Sequence, residues 1–160
     1  MKTLIVALAA SLGIAFAANA QQPVKAAFLG FHLIDTSLGA SHEDEDARVD
    51  MIGKRLVEAL EASGRYVFVD AAPVADKAAR YENIARCNGC DADFAHELGA
   101  DMSVTGEVQK TSNLILSITV YIRDAKTGDL AVGGSSDIRG NTDESWRRGI
   151  DYIVRNRLLK

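Results

Sequence analysis

Hydrophobic period changes along this chain in a fixed order, and that order narrows the fold. Residues 24–34 (VKAAFLGFHLI) form an almost continuous apolar run, the pattern of a buried strand, with Gly30 placed for a bulge. A polar loop, residues 36–46, follows with Gly39 and the acidic run Glu43, Asp44, Glu45 and Asp46. Val49, Ile52, Leu56, Val57 and Leu60 then recur at helical spacing, while Lys54, Arg55, Glu58 and Glu61 fill the other side. Gly64 stands where a helix end wants a left-handed residue, and residues 66–69 (YVFV) are a short run of β-formers.

The second half reverses the balance. Residues 73–86 are rich in alanine and charge with a thin apolar stripe, which predicts weak helix plus loop. Residues 91–98 predict a short helix ended by Gly99. Residues 102–108 and 114–122 predict a hairpin turning across Lys110 to Asn113, and residues 130–138 a third strand after the turn at 124–129. Asn141 and Glu144 have the spacing of a capping box, ahead of a helix whose apolar face is Trp146, Ile150, Ile153, Val154 and Leu158. Alternating units followed by a meander predict an α/β (α+β) fold. It is a single mixed sheet, ordered strand-helix-strand-helix-strand-strand-strand-helix, with helices packed on it.

The start of the chain concerns compartment. Lys2 precedes an uncharged apolar run that ends in Ala18-Asn19-Ala20, the three parts of a secretory signal peptide. The run is shorter than the roughly 20 residues a spanning helix needs, so cleavage after Ala20 is expected rather than retention. Residues 1–20 are then the signal peptide and residues 21–160 a single domain, exported to the periplasm, without membrane insertion after cleavage. Without Lys2 the domain carries 17 basic and 22 acidic residues, a net −5. That balance disfavours electrostatic capture of nucleic acid.

Leu98-Gly99-Ala100-Asp101, the strand Val104-Thr105-Gly106-Glu107-Val108, and the turn residues Asp124, Thr127 and Gly128 carry a resemblance. Over residues 24–159 the chain resembles the α/β domain shared by the N-terminal domain of TolB and by CsgG-type secretion-channel proteins. It resembles still more a family of small secreted bacterial proteins of unknown function, in which a C-x-x-C pair precedes the short helix. The resemblance implies this fold, an envelope setting and no catalytic residues. The chain lacks TolB's propeller and CsgG's lipidated cysteine and membrane-spanning hairpins.

Cys87-Asn88-Gly89-Cys90 is the sharpest chemical feature. Outside the cytoplasm two close thiols are expected to oxidise, and Asn-Gly lets the chain fold back between them. A Cys87–Cys90 disulfide is therefore expected. A thioredoxin-like role would also place the pair at a helix start, but the proline such a fold keeps beside its cysteines is missing after Pro73. Covalent haem needs histidine where Asp91 stands. A metal reading recruits Cys87, Cys90 and His96, with Asp91 or Asp93 and the remaining His32 and His42 to complete the ligands.

The acids around His42 lack calcium-loop spacing and suit a helix start, where they complement the dipole. His32 reads as a strand or edge histidine and Trp146 as core. No nucleophile elbow or phosphate loop is present; Gly133-Gly134-Ser135-Ser136 lies in a strand. The expected function is a non-enzymatic envelope protein, without cofactor, that binds or assembles with another envelope component. The alternative is a small redox or metal-handling protein centred on the C-x-x-C pair.

Overall fold

A computed structural model describes residues 22–38 and 43–160. The signal segment, its cleavage site, Gly39 and His42 lie outside the described residues. Five strands form one sheet in the order β2-β1-β3-β4-β5: β1 (Val24–Asp35), β2 (Tyr66–Val69), β3 (Met102–Ser112), β4 (Ile115–Asp124) and β5 (Leu130–Arg139). β1 runs parallel to both β2 and β3, and β3-β4-β5 is an antiparallel meander, as the element order predicts.

Two helices cover one face: α1 (Glu43–Ala62) and α4 (Asp143–Ile153), the latter continued by a π-helical turn over Val154–Leu158. Ile52, Leu56 and Leu60 of α1 meet Trp146, Ile150 and Ile153 of α4 over Ala26, Val104, Val108, Ile118, Val120 and Ile122 of the strands. All twelve side chains are fully buried, which makes this the main core. The opposite face carries α3 (Cys90–Glu97) and a broken segment containing 3-10 turns at Ala72–Val74 and Ile84–Arg86 and the four-residue α2 (Ala75–Ala78). Alanines let α3 approach closely: Ala27, Ala95, Ala100 and Ala125 form a small second cluster.

The bulge expected at Gly30 is present. The β1–β3 register slips between Phe28 and Phe31, and Gly30 takes φ 101, which a residue without Cβ adopts at no steric cost. The slip puts both Phe28 and Phe31 on the core face, ring centroids 6.0 Å apart. Two glycines make room for them. A Cβ on Gly106 would fall 2.1 Å from the Phe31 ring, and one on Gly53 would fall 3.0 Å from the Phe28 ring.

Three expectations need correction. The hairpin turns at Asn113 and Leu114 rather than from Lys110, because Lys110 is held inside β3: its ammonium lies 2.6 Å from Glu45 and 3.0 Å from Asp35, and only 1% of it is exposed. Two carboxylates thus do what the sequence pattern assigned to solvent. Burial lowers the Lys110 pKa, but its bonds to Glu45 and Asp35 outweigh that and raise it overall. The cap of α4 is Thr142, whose Oγ1 accepts from Ser145 N–H at 3.2 Å, and not Asn141. Asn141 is taken by other work, donating to Glu45 at 2.6 Å and accepting from Trp146 Nε1 at 2.9 Å. Finally, the acidic run expected in the loop 36–46 belongs to the helix, because α1 begins at Glu43. Asp44 and Asp46 are exposed in the first turn, but Glu45 is buried on Lys110.

Candidate functional site

Two adjoining features are built around the segment between β2 and α3, one at the open edge of β1 and one on the face bearing α3. The first arises because β2 is only four residues long. It pairs with β1 from Val24 to Ala27, and beyond that point no strand among the described residues pairs with this edge of β1. The chain instead leaves the sheet through the Ala72–Val74 turn and α2, and these stand away from the edge. A groove of about 430 Å³ opens between them. Phe28, Leu29, Phe31 and His32 line it from β1, and Val74, Ala78 and Tyr81 from the far wall. His32 is thus a half-buried edge residue, as its setting in the sequence suggests.

The second feature is polar. Along β3, Ser103, Thr105 and Glu107 alternate with the apolar core residues and face α3, each at most 4% exposed. Glu107 accepts from Arg86 Nε at 2.5 Å and Nη2 at 3.2 Å, from Asn83 Nδ2 at 2.6 Å, and from the Tyr121 hydroxyl at 3.1 Å. Burial pushes the Glu107 carboxyl up, but the bonds from Arg86, Asn83 and Tyr121 prevail and hold it below the ordinary glutamate value. Burial and the Glu107 charge push the Tyr121 hydroxyl up. Asp91, 2% exposed, accepts from Ser103 Oγ at 2.7 Å and lies 3.7 Å from Arg123 Nε. The Arg123 guanidinium also sits 5.5 Å above the Tyr121 ring. Arg86 and Arg123 border a cleft of about 490 Å³ with Ala85, Asn88, Gly89, Asp91, Thr127 and Gly128.

The structure brings Cys87 and Cys90 together at the lip of this cleft, Cα atoms 5.6 Å apart, a separation a disulfide spans. Asn88 takes φ 62 and Gly89 φ 104, so the Asn-Gly turn folds the chain back between them. Cys90 is buried against Val74, Ile84 and Phe94. His96 is exposed on α3, and Asp91, a candidate ligand in the sequence, is committed to Ser103 and Arg123. Among the described residues no group of three or more His, Cys, Asp or Glu side chains is disposed to hold a metal ion. No helix among them is long and apolar enough to cross a membrane.

The sequence alone does not single out Asn83, Arg86, Glu107, Tyr121 or Arg123. A signal was available. Ser103, Thr105, Glu107 and Gln109 put polar groups at every second position of a strand otherwise made of core residues, which marks one face as polar. The partners on residues 83–86 left no such trace, because an irregular segment has no period.

A family model, DUF3280, described as "Protein of unknown function (DUF2380)", matches residues 24–158. The chain belongs to that family. No curated protein matches it. Among solved structures the fold is similar to the C-terminal domain of LpoB from Salmonella enterica, at 12% identity and TM-score 0.54, covering 77% of this chain and 87% of that one. It is similar to PelC of Paraburkholderia phytofirmans, solved as a dodecamer, at 12% identity and TM-score 0.53, covering 83% and 86%. It is also similar to lipoprotein GNA1162 of Neisseria meningitidis, at 16% identity and TM-score 0.51, covering 76% and 84%. At such identities the likeness is one of fold. These are LpoB-like and PelC-like domains rather than the TolB N-terminal or CsgG domains that the sequence motifs resemble.

Proposed function

We propose that this protein is a non-enzymatic component of the bacterial envelope, exported to the periplasm by its cleaved signal peptide, residues 1–20. Residues 21–160 then act as one domain that assembles with another envelope protein. The observation that carries the reading is the open edge of β1 beside an apolar groove. An extended peptide segment of a partner can continue the sheet where β2 stops, taking main-chain hydrogen bonds from the edge and side-chain burial from Phe28, Phe31 and Tyr81. Two similarities support the setting: the PelC fold is used in a dodecamer, and GNA1162 is a lipoprotein. In this reading Cys87 and Cys90 are bonded to each other. The bridge fixes the turn that leads into α3, with no turnover role and no bound metal.

Ala75 and Ala79 line the groove and are exposed. Replacing both with Glu places charge on its wall without touching the core. The folded A75E/A79E protein is expected to lose the complex that the wild-type chain forms in periplasmic extracts on native gels. A complex that survives the change, or a wild-type protein that migrates alone, contradicts the reading. Insulin reduction and elemental analysis of the wild-type protein separate it from the redox and metal alternative. Disulfide-reductase activity or stoichiometric metal would establish that alternative instead.

A further inference from the structure

Arg86 and Arg123 reach the same cleft from different elements, and each is held from behind by a buried acid. The arrangement is costly, since a carboxylate taken out of water must be repaid by close partners. Neutral donors meet part of that cost: Ser103 donates to Asp91, and Asn83 and Tyr121 donate to Glu107. The arginines are therefore not wholly consumed. Arg86 gives Nε and Nη2 to Glu107, and its Nη1 has no protein partner among the described residues. Its side chain is 65% exposed. Arg123 lies beyond hydrogen-bond distance of Asp91 at 3.7 Å, and Tyr121 supports its guanidinium.

We propose that this cleft binds an oxyanion group, gripped by Arg86 and Arg123. Planar guanidinium forks match the paired oxygens of carboxylate, phosphate or sulfate, and arginines fixed in advance lose little freedom on binding. Among the groups that line the cleft the two guanidiniums outnumber the one carboxylate, Asp91, which is 2% exposed. Glu107 is buried and outside the lining, so the cleft favours an anion. Asn88, Thr127 and the small residues Ala85, Gly89 and Gly128 complete the lining, and Asp91 is its one acidic side chain. A volume of about 490 Å³ suits a small acidic group or one residue of a larger ligand. The acidic chain as a whole repels a long polyanion, which restricts the ligand to one bearing an isolated charge. The site is separate from the β1 groove, and neither depends on the other.

Amide resonances of the full secreted chain decide this. Galacturonate, the dipeptide Ala-Ala and glycerol 3-phosphate are titrated in turn, with sodium chloride at matched ionic strength as reference. They represent a sugar acid, a peptide terminus and a lipid headgroup. At least one is expected to shift Asn88, Gly89, Thr127 and Gly128 saturably, and the one that saturates at lowest concentration names the source. R86Q and R123Q should each weaken that binding at least tenfold. Because Ser103 still bonds Asp91 in R123Q, that variant alone decides the matter if R86Q does not fold. Shifts no different from those with chloride for all three probes, or saturable binding undiminished in folded R123Q, overturn the proposal.

Discussion

The two faces of the sheet are made from the same strands and do opposite things. β3 sends Val104 and Val108 toward α1 and α4, and Ser103, Thr105 and Glu107 toward α3. β4 repeats the division, with Leu116, Ile118, Val120 and Ile122 on one side and Ser117, Thr119, Tyr121 and Arg123 on the other. The first face is closed by a 20-residue helix and an 11-residue helix whose apolar stripes interlock. The second is covered by eight residues of α3 and a segment that is barely helical. Concentrating apolar burial on one face leaves the other free to hold charged pairs and a polar cleft, and the open edge of β1 lies between the two. The exception is instructive. Lys110 faces the helical side, at its end, and is tolerated there only between Asp35 and Glu45.

Truncations on the helical face should cost most. Ile150→Ala or Ile153→Ala, each at a fully buried position, is expected to lose about 2–5 kcal/mol in denaturant unfolding. An unchanged midpoint would mean that this face is not the main source of stability. On the polar face, Glu107→Gln keeps the shape but weakens the charge-assisted bonds from Arg86, and a loss of about 1.5–3 kcal/mol at neutral pH is expected.

That loss should depend on pH. The folded Glu107 pKa lies below the ordinary 4.5, so its contribution is fully present above about pH 4.5 and disappears as pH falls through the folded value. The gap in melting temperature between wild type and Glu107→Gln should therefore narrow below that pH. A gap that is constant from neutral to acid would show that the Glu107 charge is not what matters.

Gly106→Ala links the faces to the groove. Its methyl group collides with Phe31, so a loss of about 1–3 kcal/mol from overpacking is expected, with displaced Phe31 ring resonances. The smallest effect should come from replacing both Cys87 and Cys90 with Ser. A bridge across three positions closes so short a loop that about 2 kcal/mol is its ceiling on chain-entropy grounds. A loss well beyond that would make the pair more than a local staple.

The parts of the fold governed by period are legible in the sequence. The stripe Trp146, Ile150, Ile153, Val154 and Leu158 is buried along its whole length, and the Gly30 bulge and the Gly64 and Gly99 helix ends stand where expected. What escaped were positions decided by a distant partner. Lys110 looks like a turn residue until Asp35 and Glu45 are brought beside it, and Asn141 looks like a cap until Glu45 and Trp146 claim it. The site was the least legible. Its cysteines announce themselves, but Arg86 and Glu107 are 21 residues apart and meet only because the 3-10 turn lies on β3.

The most direct test of the division is site-specific photo-crosslinking in the living cell, comparing the two sides of the molecule. A photoreactive residue at Ala79, on the groove wall, is set against one at Lys54, on the outward side of α1. The expected result is a discrete heavier adduct from position 79, lost when A75E is added, and none from position 54. An adduct from position 54 alone, or from neither position, would contradict the assignment of the groove at the β1 edge as the docking site.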